Sequence, residues 1–227
     1  MSVLYTPNQN NVSSYSKGYI DALVDAQSHI DGYFFLEESL SPALLDAMQK
    51  VCPITPNQDG AETPAYVYSH YFLGRRATAL ARIDLLNKLS QNFDVTVYTH
   101  ADCKDILPTA IYGGKIDYYD TMPTVFQHSK LNLNITLKTI QTGIPLRAWD
   151  ILGCGGFLLT NFQQELCDFF IPGEDFVYYE SPADAIEKAA YFLSHDRERQ
   201  EITHNAFEKI AASHTFHHRV QSMFEII

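Results

Sequence analysis

Cationic residues are scarce in this chain of 227 residues: 16 Lys and Arg stand against 27 Asp and Glu, a formal charge of −11. A nucleic-acid surface needs clustered Lys and Arg, so that class is excluded, and an anionic membrane surface is excluded on the same ground. A nucleotide ligand stays open, because a site can be locally positive on an acidic protein. No apolar run reaches the length of a membrane span. Met1 to Ser16 is polar and lacks the basic-then-apolar order of a secretory signal. The four cysteines, Cys52, Cys103, Cys154 and Cys167, are too widely spaced for a CxxC metal or redox pair. They read as reduced thiols of a cytoplasmic protein. GxSxG, the P-loop and GxGxxG are all missing, which removes support for a serine hydrolase, an NTPase or a dehydrogenase. There is no internal repeat and no low-complexity tract.

What is present is ordinary globular composition, 46% hydrophobic and 19% charged, which rules out a disordered tail. Val3 to Tyr5 reads as a short first strand, followed by a polar loop. Ile20, Leu23, Val24, Gln27 and Ile30 recur at helical spacing. Ser41 before Pro42 predicts a helix start, with the helix running to about Val51. Pro53, Pro56, Gly60 and Pro64 break the next stretch. Residues 1–66 therefore read as a first strand with a helical appendage, and residues 67–227 as a Rossmann-like domain.

In that second part, Phe72, Ala79, Ile83 and Leu86 form one helical stripe, and the alternation at Val95 and Val97 reads as a strand. Leu131, Leu133 and Ile135 suggest another strand. Pro145 opens a helix to about Leu152; Gly153, Gly155 and Gly156 make a turn; Phe157 to Thr160 and Phe176 to Tyr179 read as buried strands. Ser181 with Pro182 starts a further helix, Asp196 the next and Thr215 the last. Short buried strands alternating with helices predict an α/β fold, a mostly parallel sheet covered by helices on both faces. Such sheets bind ligands outside the carboxyl ends of their strands.

The segment from Ser129 to Thr160 carries the chemistry. Asn132 and Asn134 lie on a strand facing a packed helix. They either pair neighbouring loops or present polar groups to a ligand. Gly143 precedes a helix whose first turn holds Arg147. Free N–H groups at a helix start form an anion site, and an Arg there adds two charge-assisted bonds to a phosphate. The alternative for Arg147 is a surface salt bridge. Asp150, one turn on, could accept two hydrogen bonds from a ribose diol, or simply pair with Arg147 at i, i+3. Glu165, after the next strand, either faces the same ligand or stabilises a helix start.

The phrases KLNLNIT, GIPLRAWDILGCGGFLLT, Gln164-Glu165-Leu166, FIPGEDFVYYES, LSHDRERQEI and HTFHHRV follow one another in this order from about Ser129 to the C-terminus. This ordered set resembles the C-terminal domain of bacterial CgeB-like, spore-maturation-type glycosyltransferases, a branch of the GT-B fold. The upstream phrases KGYIDALVDAQSHIDGYFFLEE and YFLGRRATALARIDLLNKLSQNFDVTVYT resemble the middle of those proteins. The resemblance implies a nucleoside-diphosphate sugar as donor substrate, no metal or other cofactor, and transfer to an acceptor held by an N-terminal domain. It implies diphosphate contacts from the backbone between Gly143 and Leu146, Ile144 included, with Arg147 offsetting charge on the leaving nucleotide and Asp150 holding the ribose. In the wider retaining branch a Glu-x7-Glu motif overlaps this helix. Asp150 sits at the second Glu, one methylene shorter, and Thr142 at the first, which is a departure. A second departure is the Pro7 to Asn11 loop, where the family has a Gly- and Arg-containing one. On this reading the chain begins near the first strand of the donor domain, and the acceptor-binding domain is missing from it.

Other features carry competing readings. His214, His217 and His218 invite a metal but lack nearby Cys or well-placed carboxylates. Tyr178 to Glu180 either border the cleft or pack a strand end on the next helix. Arg75 and Arg76 form a phosphate patch or a solvated helix start. Two function classes follow: a glycosyltransferase donor domain, or a non-catalytic nucleotide-sugar-binding or interaction module.

Overall fold

The computed structural model describes residues 13–55 and 60–225. The expected strand at Val3 to Tyr5 and the Pro7 to Asn11 loop lie outside the described residues. The chain separates into two compact units. The first takes the described residues through Asn87, with Asp105–Pro108 and Leu137–Gln141; the second takes Lys88–Lys104, Thr109–Thr136 and the described residues from Thr142 onward.

The first unit is helical. Helix α1, Ser14–Ser28, starts where the Ser13 hydroxyl accepts from the amide of Ser16. Helix α2, Pro42–Val51, starts at Ser41, whose hydroxyl accepts from Leu44 N. Both helices thus satisfy an otherwise orphaned first-turn amide. A short helix α3, Pro64–Tyr66, leads into a π-helical segment, Val67–Leu73, and then into α4, Gly74–Ser90. The boundary expected at 66/67 falls inside this unit. Tyr68, Leu73 and Ala77 pack in one core with Ile20, Val24, Leu36, Leu40, Leu44 and Met48, which ties the following helix to the preceding ones. The Tyr68 hydroxyl donates to Cys52 O at 2.6 Å. Buried Lys138 donates to Asp31 at 2.8 Å. Arg76 pairs with Asp21 at 2.7 Å, so it does not serve as part of a free phosphate patch.

The second unit holds the strands found among the described residues, and every pairing among them is parallel. Strand β1, Thr96–Tyr98, pairs with β2, Ile111–Gly114. After helix α5, Met122–His128, come β3, Asn132–Asn134; α6, Leu146–Gly153; β4, Leu158–Asn161; and β5, Val177–Tyr179. Strands β3, β4 and β5 form a three-stranded sheet in that order, with Asn134 opposite Thr160 and Asn161 opposite Tyr179. Helices α7, Pro182–Ser194, α8, Asp196–Ser213, and α9, Phe216–Glu225, complete the unit. This is the expected Rossmann-like α/β fold, with parallel sheets flanked by helices.

Strand β4 is buried along its whole length, as a central parallel strand must be. Leu158 packs with Ala148, Ile151 and Leu152 of α6 and Ala206 of α8. Burying a side chain of this size contributes roughly 1.5–3 kcal/mol. Phe157 meets Phe192 of α7 at 4.9 Å between ring centroids. Gly156 is needed where the turn between α6 and β4 passes close to α5 and β3: a Cβ there would lie 2.7 Å from the Asn132 amide and 2.8 Å from the Phe126 carbonyl. Ser181 caps α7 by accepting from Asp184 N. Asp196 was expected to cap α8, but its carboxylate instead pairs with the Arg199 guanidinium, and no side chain caps that helix.

Candidate functional site at the carboxyl ends of the strands

Where parallel strands end, their last backbone groups and the loops that follow converge, and helices begin with their positive ends nearby. In the three-stranded sheet these positions are Asn134, Thr160, Asn161 and Tyr179. Asn134, Thr160 and Asn161 are linked, through Thr136, by buried hydrogen bonds. Asn134 Nδ2 donates to Thr160 Oγ1 at 3.0 Å and to Thr136 Oγ1 at 3.2 Å. Thr136 N donates to Asn161 Oδ1 at 2.9 Å, which fixes the first residues of the loop beyond β3. Asn132 sits at the other end of the same strand. Its amide donates to Phe126 O at 2.9 Å and Phe157 O at 3.3 Å, so its side chain joins α5 to the start of β4.

The loop before α6 turns at Gly143, whose φ of +94° is a conformation L side chains rarely adopt. No side chain caps α6, and Pro145 at the cap position has no N–H. The amides near the helix start therefore point to solvent or to a ligand, and they come from Gly143, Ile144, Leu146 and Arg147, with none from Pro145. Ile144 is half-buried against the core, anchoring the loop. Thr142 is exposed, and Leu146 is 74% exposed.

Arg147 and Asp150 lie one turn apart, and they do not pair with each other. Arg147 is exposed and makes no ion pair with any described residue. The Asp150 carboxylate accepts instead from the Tyr118 hydroxyl at 2.8 Å, a bond that pushes the tyrosine's ionisation upward. Tyr118 is held by a turn built on Asp117. The Asp117 carboxylate accepts from Tyr119 N and Asp120 N, both at 2.8 Å, and these bonds lower its pKa. Burial, with Asp150 close by, pushes the Cys154 thiol up, so it is a poor nucleophile.

Tyr118 is the site residue the sequence reading missed. It lies 32 positions before Asp150, in a stretch without periodicity; the only signal was the turn chemistry of Asp117 and Asp120. Glu165 stands half-buried in the first turn of a 3₁₀ helix, Gln164–Asp168, where a carboxylate favours the helix start. Tyr178 packs under the Lys188 ammonium, 5.0 Å from its ring centre, so that strand end packs on the following helix. His214 lies against Trp149, Phe169 and Phe170, and its pKa is lowered by burial and then by the charge of Arg219. Among the described residues no helix is long and apolar enough to cross a membrane.

The second unit is thus a parallel α/β unit that presents, at the start of α6, an arginine with no ion pair among the described residues and a carboxylate tethered by Tyr118. A family model described as glycosyl transferase-like matches residues 76–225, most of the chain, and the chain belongs to that glycosyl transferase-like family. No curated protein matches it. Residues 1–66, the expected appendage, lie outside the match.

Proposed function

We propose that the second unit binds a nucleoside-diphosphate sugar at the carboxyl ends of β3 to β5 and serves glycosyl transfer, in the manner of the CgeB-like branch of GT-B enzymes. The observation that carries this reading is the division of labour on α6. Arg147 keeps its guanidinium unpaired, while Asp150, one turn away, is held by Tyr118. A ligand suited to both groups has a phosphate beside a diol, which is what the ribose diphosphate of a nucleotide sugar offers.

In this reading the amides of Gly143, Ile144, Leu146 and Arg147 donate to the diphosphate, and Arg147 adds two charge-assisted bonds. Asp150 accepts from the ribose hydroxyls, and Tyr118 fixes its carboxylate by donating to Oδ2. In transfer, an acceptor oxygen forms a bond to the anomeric carbon as the bond from that carbon to the phosphate oxygen breaks. The electron pair leaves with the nucleoside diphosphate, and Arg147 stabilises the charge that develops there. The acceptor and the group that takes its proton belong to a separate acceptor-binding domain. Four unbridged thiols fit work in the reducing cytoplasm.

Calorimetric titration with UDP, GDP and their glucose, galactose and mannose conjugates tests the site. We expect saturable binding of one nucleotide series, weakened about tenfold or more by Arg147→Ala and by Asp150→Ala, a charged hydrogen bond being worth about 1.5–3 kcal/mol. Folded protein that binds none of these ligands would remove the donor-site reading and favour the interaction module.

A further inference from the structure

A cavity of about 360 Å³ opens at the opposite end of the sheet, where β3 and β4 begin. It is lined by the segment after α5, by the turn before β4 and by one face of α8. Its position separates it from the α6 start by the length of the strands, on the order of 10 Å for three or four residues.

The cavity is cationic on a chain of net charge −11, and no Asp or Glu lines it. Lys130 reaches it from an exposed position and makes no ion pair with a described residue. Arg199 lines it while only 8% exposed. Its Nη1 donates to Phe192 O and to Asp196, which leaves Nε and Nη2 without a hydrogen-bond partner among the described residues. Asp196 offsets one of the two charges. Its carboxyl is held below the ordinary range by Arg199 first and by Lys130 further off. Ser129 and Gln200 add neutral donors, and Phe157 and Phe207 supply apolar wall. A buried guanidinium lining an open cavity that no carboxylate lines is complementary to an anion, and the aromatic walls are complementary to an apolar body attached to it.

We infer that this cavity is a second binding site, taking a small phosphate monoester whose phosphate meets Lys130 and Arg199 and whose organic part lies against Phe157 and Phe207. The site is independent of the donor reading, because no residue of α6 lines it.

Phenyl phosphate and inorganic phosphate, titrated calorimetrically into the full chain at low salt, test the inference. Phenyl phosphate should bind saturably and more tightly than inorganic phosphate. Lys130→Ala, at an exposed position that leaves the fold intact, should weaken both by about tenfold. Phe207→Ala should weaken phenyl phosphate alone. In an Arg147→Ala background, which removes the arginine of α6, saturable binding of both should persist and should still be weakened by Lys130→Ala. Folded wild-type protein that binds neither ligand overturns the inference. So does binding that survives Lys130→Ala but disappears in Arg147→Ala, which would place it at α6. Equal affinity for the two ligands overturns the assignment of an ester.

Discussion

The two ends of the three-stranded sheet use the same amino acid in opposite ways. At the amino end, Asn132 donates to two backbone carbonyls, those of Phe126 and Phe157. At the carboxyl end, Asn134 donates to two hydroxyls, those of Thr136 and Thr160. A carbonyl is fixed by the fold, whereas a hydroxyl rotates and can change its partner. The amino-end asparagine is thus a strut, and the carboxyl-end network is one a ligand can rearrange without breaking the sheet. The two arginines differ in the same sense. Arg199 is buried and tied to the backbone, while Arg147 is exposed and unpaired.

The largest effect should come from Gly156→Ala at the amino end. The added methyl meets backbone at 2.8 Å, which flexible side-chain motion cannot relieve, so we expect a loss of about 3 kcal/mol in denaturant unfolding. Asn132→Ala leaves buried carbonyls without their side-chain donor and should cost about 2 kcal/mol. Asn134→Ala should cost about 1 kcal/mol, because Thr136 and Thr160 can turn their hydroxyls to each other or to water. Equal losses from the two asparagines would break the distinction between strut and network.

A pH series adds a subtler effect. The ordinary value for His214 is 6.5, and the fold lowers it. The unfolded chain therefore binds the extra proton first as pH falls. Stability from this group is present above 6.5 and declines as pH drops toward the lowered value. Unfolding midpoints at pH 7.5 and 5.5 should differ by less in His214→Gln than in the wild type. The smallest effect on stability belongs to Arg147→Ala, within about 0.5 kcal/mol, since it removes no described contact. A large loss there would mean that Arg147 serves the fold.

Much of this architecture is legible in the sequence. Ser41-Pro42 and Ser181-Pro182 marked two helix starts, because the cap and the first-turn proline act locally. Strand β3 was visible from the spacing of Leu131, Leu133 and Ile135, and β4 and β5 as short apolar runs. Strand β2 was not, since two of its four residues are glycines and its burial does not follow an apolar pattern. Helix α5 has seven residues, too few for a periodic stripe. The π-helical turn at Val67–Leu73 adds a residue per turn, which a 3.6-residue pattern cannot register. At the candidate site, Gly143, Arg147 and Asp150 could be read from a contiguous stretch. What the sequence left open was whether Arg147 and Asp150 pair with each other. Tyr118 decides it from 32 residues away, and only the fold brings it there.

Trp149 is the chain's single tryptophan, and it lies between Ala148 and Asp150 on α6. All indole emission from this protein therefore originates on the helix that carries Arg147 and Asp150. The ring sits 5.3 Å from His214 and under the Arg219 guanidinium, neighbours whose charge and motion alter fluorescence. The fold has in effect placed one native optical reporter beside the candidate donor site, so occupancy there can be followed without a label.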